Sequence, residues 1–360
     1  MNAFRFSLVA AIFTAFSVPA SNAQGTATTD PVGFVTVGIT AGTGAAKRNT
    51  LFSLPLLETE SITGQVAGTI TGVTANSISN SNAGWSAGAL SSPATPYLIQ
   101  VTSGAAEGRM FLIASSASTA GAIGGTANTA TTVTVSSVDA SQVDLTTLGI
   151  VAGTDTYRIY ACDTLSSFFG TPATTGVQGG TSSANADTIV IISNGSARTY
   201  FYSTTANRWT QVTLGSPDAS NVPLIPYYGI QYARLPASAV NFTVTGAVPT
   251  ESRKVSIKNS GPTLLSQYWP VESTLVGLGL QNLPGWLTGA SASSADTVLV
   301  VSGGTASTFW YNGTNWKKVT LGSPNSDTTP IPIGSSVMIN RKGTAAGYTP
   351  LAQTVPYTLN

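Results

Sequence analysis

Residues 186–234 read ADTIVIISNGSARTYFYSTTANRWTQVTLGSPDASNVPLIPYYGIQYAR, and residues 295–341 read ADTVLVVSGGTASTFWYNGTNWKKVTLGSPNSDTTPIPIGSSVMINR. Each copy opens on Asp-Thr and an unbroken apolar run, residues 189–192 or 298–301. Short β-branched runs bounded by turn residues read as strands buried on both faces. A turn follows, Asn194-Gly195 or Gly303-Gly304, and both pairs supply the positive φ angles of tight hairpins. An aromatic strand comes next, Tyr200-Phe201-Tyr202 matching Phe309-Trp310-Tyr311. The chain then returns through Trp209 or Trp316 to Val-Thr-Leu-Gly-Ser-Pro, a Pro-rich stretch and a last strand ending at Arg234 or Arg341.

The spacing supports a meander. Asp187 and Asp296 stand 109 residues apart, Trp209 and Trp316 107 apart, so copy two is two residues shorter between them. Loop tips tolerate such a change and paired strands do not. The likeness reaches upstream to Thr164-Leu165 and Thr274-Leu275. A period above about 100 residues is too long for a solenoid, whose units run about 20–50. The reading is a duplicated β unit of roughly 70 residues with an insert between the copies.

The chain has 360 residues, enough for two domains and a sizeable core. Residues 1–23 read as a signal peptide: Arg5 is the one charge, residues 6–18 are apolar, and Ser21-Asn22-Ala23 is a small-x-Ala cleavage site. That apolar segment falls short of the roughly 20 residues a spanning helix needs. The expected destination is secretion or the cell surface. Without Arg5 the balance is 15 − 1 = 14 basic against 14 acidic residues. Only 8% of residues are charged, against about 25% in an ordinary domain. Nucleic-acid binding needs clustered Lys and Arg, and the largest cluster here is Arg253-Lys254 with Lys258. Near-zero net charge favours association. Cys162 is the one cysteine, so no intramolecular disulfide forms, and it reads as a small buried apolar residue.

Between the signal peptide and the copies, residues 30–37, a short apolar run within 47–57, and residues 97–101, 109–114, 131–135 and 156–160 read as strands separated by Gly, Ser and Thr. Residues 115–130 are of low complexity, and residues 141–148 are the best short helical candidate. The expected fold is all-β: an N-terminal sandwich- or barrel-like region followed by a duplicated antiparallel β-meander unit. The division is 24–163 for the N-terminal β domain and 164–360 for the duplicated one. The latter comprises copy one at 164–234, an insert at 235–273, copy two at 274–342 and a tail at 343–360.

Several blocks resemble an uncharacterised family of exported proteins from verrucomicrobial bacteria. They are Asp30-Pro31-Val32-Gly33-Phe34-Val35, residues 97–113, the Ala-Asp-Thr strand openings, and Ile331-Pro332-Ile333-Gly334 before a strand ending in Arg341. The resemblance implies export and β character, and no activity or site residues.

The chain has no histidine, which removes Ser-His-Asp and Cys-His activation and the HExxH zinc motif. No Walker loop is present. An aspartic-protease pair would take Asp187 and Asp296 from matching places, but Ile189 and Val298 stand where the catalytic loop needs Gly. The bland reading is a carboxylate bonding backbone N–H groups before a strand. Glu58, Glu60, Glu107, Glu251 and Glu272 show no paired pattern for glycoside hydrolysis. No catalytic residue, metal ligand or cofactor is assigned. Trp209 and Trp316 hold equivalent places and read as core. Trp85 and Trp286, in Gly/Ser-rich surroundings, are the candidates for stacking on a sugar ring.

Comparing the copies separates frame from surface. Their shared residues are apolar, aromatic, Gly or Pro, while charges drift: Arg198 faces Ser307 and Arg208 faces Asn315. Only Asp187/Asp296 and Arg234/Arg341 keep their charge. Each Asp is therefore expected to pair with the Arg that ends its own unit, for at most about 1 kcal/mol if exposed. The expected function is a non-enzymatic structural or adhesive protein of the cell surface or matrix, partnered by its own copies. The alternative is a carbohydrate-binding protein partnered by extracellular polysaccharide.

Overall fold

The apolar runs become strands of antiparallel sheets. In the computed structural model the described residues are 31–59, 62–114, 127–137, 144–193 and 196–358, and those from Pro31 onward form one unit. The signal-peptide reading, most of the low-complexity run and the Asn194-Gly195 turn lie outside the described residues.

In chain order, β1 (Val32–Ile39) and β2 (Arg48–Phe52) come first. Then follow β3 (Ala67–Thr69), β4 (Gly72–Val73), β5 (Ser77–Ser79), β6 (Tyr97–Val101), β7 (Met110–Ile113), β8 (Thr132–Ser137) and β9 (Thr156–Ala161). Two short helices, α1 (Leu165–Phe169) and α2 (Pro172–Thr175), precede β10 (Thr188–Ser193), β11 (Ser196–Ser203), β12 (Arg208–Gln211), β13 (Ile230–Arg234) and β14 (Val240–Ala247). The rest are β15 (Arg253–Lys258), β16 (Ser260–Ser266), β17 (Ser273–Thr274), β18 (Thr297–Ser302), β19 (Thr305–Tyr311), β20 (Trp316–Lys318), β21 (Pro330–Ile331), β22 (Ser336–Lys342) and β23 (Tyr348–Gln353). Of the helical candidate at 141–148, residues 141–143 lie outside the described residues and the rest holds a 3-10 turn, Leu145–Thr147, capped by Asp144. Among the described residues no helix is long and apolar enough to cross a membrane.

Copy one builds a five-stranded sheet in the order β12-β11-β10-β13-β2, and copy two builds β20-β19-β18-β22-β16. In each, three strands meander and the fourth returns beside the first, a Greek-key order. The Gly303-Gly304 turn is a two-residue hairpin with φ 55° and 78°, as its glycines predict. Leu165 N–H bonds Val222 O at 3.1 Å and Leu275 N–H bonds Thr329 O at 2.9 Å, so the upstream likeness is structural too.

The repeat is larger than the sequence shows. β2 pairs with β13 as β16 pairs with β22, with Phe52 opposite Ile230 and Leu265 opposite Val337. A two-stranded ribbon completes each unit: β1 with β14, and β15 with β23. Residues 235–273, read as an insert, thus hold the last strand of unit one and the first two of unit two. Residues 343–360, read as a tail, hold the last strand of unit two. Unit one in turn carries an insertion, because the seven-stranded sheet β3-β9-β6-β7-β8-β5-β4 lies between its second and third strands. No barrel closes.

Three cores follow. Ile189, Tyr200, Trp209 and Phe242 belong to that of unit one, joined by Val37 and Phe52 from the chain's first strands. Unit two gathers Val298, Phe309, Trp316 and Ile339. The seven-stranded module buries Ile99, Phe111 and Ile159 on its own side, while Leu98, Leu112 and Tyr160 on the opposite face join the core of unit two. Strands covered on both faces read as near-continuous apolar runs, which explains Met110–Ile113 and, apart from Gln100, Tyr97–Val101. The opening runs of the copies differ: Ile189 and Val298 are fully buried, but Val190 and Leu299 are only half-buried, so β10 and β18 have one well-covered face.

Candidate functional site

The charged groups that both copies retain meet in the core. Thr188 is opposite Ala233 across β10 and β13, so Asp187 and Arg234 occupy the next rung. Arg234 Nη1 lies 2.6 Å from Asp187 Oδ2, with the carboxylate fully buried. The same oxygen accepts from Tyr232 OH at 2.7 Å and Gln178 N–H at 2.8 Å, while Oδ1 accepts from Leu235 N–H at 2.8 Å. The guanidinium also donates to Gly176 O at 2.9 Å. Lys47 approaches from β2's side, donating to Thr188 Oγ1 at 3.2 Å; burial holds its ammonium below the ordinary value, and Asp187 counters that.

Unit two repeats the arrangement. Arg341 Nε lies 2.7 Å from Asp296 Oδ2, and the carboxylate accepts from Leu287 N–H at 2.9 Å and Lys342 N–H at 2.7 Å. Arg341 Nη2 donates to Gly285 O. The Nε–H does not point along the line to the oxygen, so this contact is an ion pair without a well-aligned hydrogen bond. No tyrosine reaches Asp296; the ring of Trp286 instead lies 5.4 Å from the Arg341 guanidinium.

The expected pairing of each Asp with its own Arg is present, but buried. Breaking a buried pair strands a charge and costs about 3–5 kcal/mol, well above the surface value. Each carboxylate is fully buried and held by N–H or O–H donors of its own unit, so the two do not face one another across an open cleft as a catalytic pair would. Gly176 and Gly285, eleven residues ahead of their Asp, and Gln178 and Leu287, nine ahead, were missed from sequence. The matching offset of the two glycines was the available signal, and both take a positive φ in the structure, 75° and 73°.

The two tryptophans singled out for sugar stacking lie in the cores. Trp85 is 2% exposed, donates Nε1–H to Gln65 O at 2.9 Å and meets the Tyr157 ring edge-on. Trp286 is 8% exposed and packs on Trp316 and Arg341. Stacking on a sugar needs an open ring face, and neither residue offers one. Gly84, Gly88 and Gly285 beside them take φ of 64°, 78° and 73°, so these neighbourhoods are tight turns. Trp209 and Trp316 are core, as their equivalence implies.

Arg253 is a further buried cation, fully enclosed and lying 5.5 Å and 5.1 Å from the Tyr268 and Trp269 ring centres. Burial lowers its guanidinium to about 10. Cys162 is buried, and desolvation pushes its thiol up, as for an inert packing residue. Among the described residues no three His, Cys, Asp or Glu side chains cluster as a metal site would require.

One shared feature faces outward. Leu214 and Leu321, in the Val-Thr-Leu-Gly-Ser-Pro turns, are fully exposed in both units. Ser216 and Ser323, two residues on, share an unusual positive φ of 41° and 40°, so the two turns adopt one conformation. No protein-family model, curated protein or solved structure matches the chain.

Proposed function

We propose that this chain is an exported, non-enzymatic structural or adhesive β protein of the cell surface or extracellular matrix, and that it associates with its own copies. One observation carries the reading. The carboxylates kept by both units, Asp187 and Asp296, are buried and bound to Arg and backbone N–H, so duplication preserved a fastening between strands and no reactive pair. The leader-like residues 1–23 and the resemblance to exported proteins support the destination. Formal neutrality without Arg5 removes the repulsion that keeps charged proteins apart.

Sedimentation velocity and electron microscopy of the purified chain test this: species larger than the monomer, growing with concentration, are expected. A strict monomer retained on a glycan array would replace this reading with the carbohydrate-binding alternative. Polysaccharide hydrolysis abolished by one carboxylate substitution would overturn both.

A further inference from the structure

The two ribbons of the repeat differ in what lies along their outer edges. In unit two, Lys254 N–H on the outer edge of β15 donates to Gly108 O at 2.8 Å, and Arg109 Nη1 donates to Ser256 Oγ at 3.0 Å. Gly108 lies so flat on this strand that a Cβ there would come within 2.7 Å of Arg253. The seven-stranded module therefore covers the β15 edge.

The matching strand of unit one is β1. Its orientation follows from the pairing of its neighbour. Ala247 and Leu57 exchange both backbone bonds, at 2.8 Å and 2.9 Å, on the far side of β14. Val32, opposite Ala247, must then point its own N–H and C=O away from β14, and by alternation so do Phe34, Thr36 and Gly38. Phe34 is the counterpart of Lys254, since Phe34 faces Thr245 and Lys254 faces Ala352 across their ribbons. Among the described residues no group bonds this edge between Val32 and Gly38.

Several other edges are blunted, as soluble sheets require. β12 and β20 carry Arg208, Lys317 and Lys318 and are bridged at Thr210–Asp218 and Lys317–Asn325. β23 contains Pro350, and β2 is met at Phe52 by Ser335. β14 is open over Asn241–Thr245 but polar there, and is closed at Ala247 by Leu57. β1, Val-Gly-Phe-Val-Thr-Val-Gly-Ile, has neither charge nor proline, and Val32 and Phe34 are 74% and 75% exposed.

We infer that β1 is the self-association edge: two copies pair antiparallel along Val32–Gly38, with Val35 on the twofold axis. This rests on the reading of the chain as self-associating and assigns that association a site. Backbone donors and acceptors in a row are a template for an added extended strand. An uncharged strand meets its own copy without repulsion. In this register Phe34 faces Thr36 of the second copy and Val32 faces Gly38, so the bulky residues meet small ones and the two Phe34 rings become diagonal neighbours. A cleft of about 210 Å³ lies beside Thr36 and Gly38, walled by Gly303, Gly304 and Ile333.

Light scattering and sedimentation velocity of the full chain, over a hundredfold range of concentration, test the inference with Thr36→Pro and Phe34→Lys. The Thr36 N–H points away from β14, so proline there removes no bond within the fold. The wild type should form a dimer or larger species, and both variants should associate at least tenfold more weakly with unchanged urea midpoints. Amide exchange at Val32, Phe34, Thr36 and Gly38 should slow as wild-type concentration rises. Assembly undiminished in both variants would overturn the assignment to β1 and leave self-association standing. A wild type that stays monomeric throughout would overturn both.

Discussion

In unit one a buried carboxylate is held by an aligned arginine, a tyrosine hydroxyl and two backbone amides; in unit two it is held by a misaligned arginine and two amides, with an indole ring under the cation. Ile339 takes the place of Tyr232, and Trp286 that of Val177. The pair and its glycine carbonyl were kept while their surroundings changed, so the essential element is the tie between the first and fourth strands of the Greek key. Burial makes loss of one partner severe and leaves the supporting contacts exchangeable.

That comparison can be broken at several strengths. Asp187→Ala and Asp296→Ala should each lose about 3–5 kcal/mol in urea denaturation, through the stranded guanidinium. Asp187→Ala should lose the more, and equal losses would mean that the tyrosine contributes nothing. Tyr232→Phe should cost about 1.5–3 kcal/mol, the range for a hydrogen bond to a charged acceptor. Asp296→Leu combined with Arg341→Met should fall near neutrality, although either change alone is costly, because the double replacement strands no charge. A double-mutant cycle on the same denaturation curves reads that coupling. Leu214→Ser with Leu321→Ser should change stability by no more than about 0.5 kcal/mol, as their full exposure requires. A larger loss would show that the turns pack against something.

Local chemistry was legible in the sequence and distant pairing was not. The runs at 189–192 and 298–301, the Gly303-Gly304 turn and the aromatic strands announced β10, β18 and their hairpins through residue type and period. The Asp–Arg tie was legible because it alone kept charge between copies that otherwise let it drift. Its burial was not, since nothing in Ala-Asp-Thr distinguishes a turn cap from an enclosed ion pair. The ribbons were invisible because Val32–Ile39 and Arg253–Lys258 share pairing geometry and almost no residues. Trp85 and Trp286 misled because Gly and Ser beside a tryptophan mark tight turns over a core as readily as an open surface.

The seven-stranded module enters and leaves unit one at neighbouring points, for Glu58 bridges Ala161. To its host it therefore amounts to a short connection. Its back face is at the same time the roof of the other unit, where Leu98, Leu112 and Tyr160 join that core. A guest threaded through one neighbour and resting on the other couples their fates, so heat should melt the chain in a single transition whose calorimetric and van't Hoff enthalpies agree.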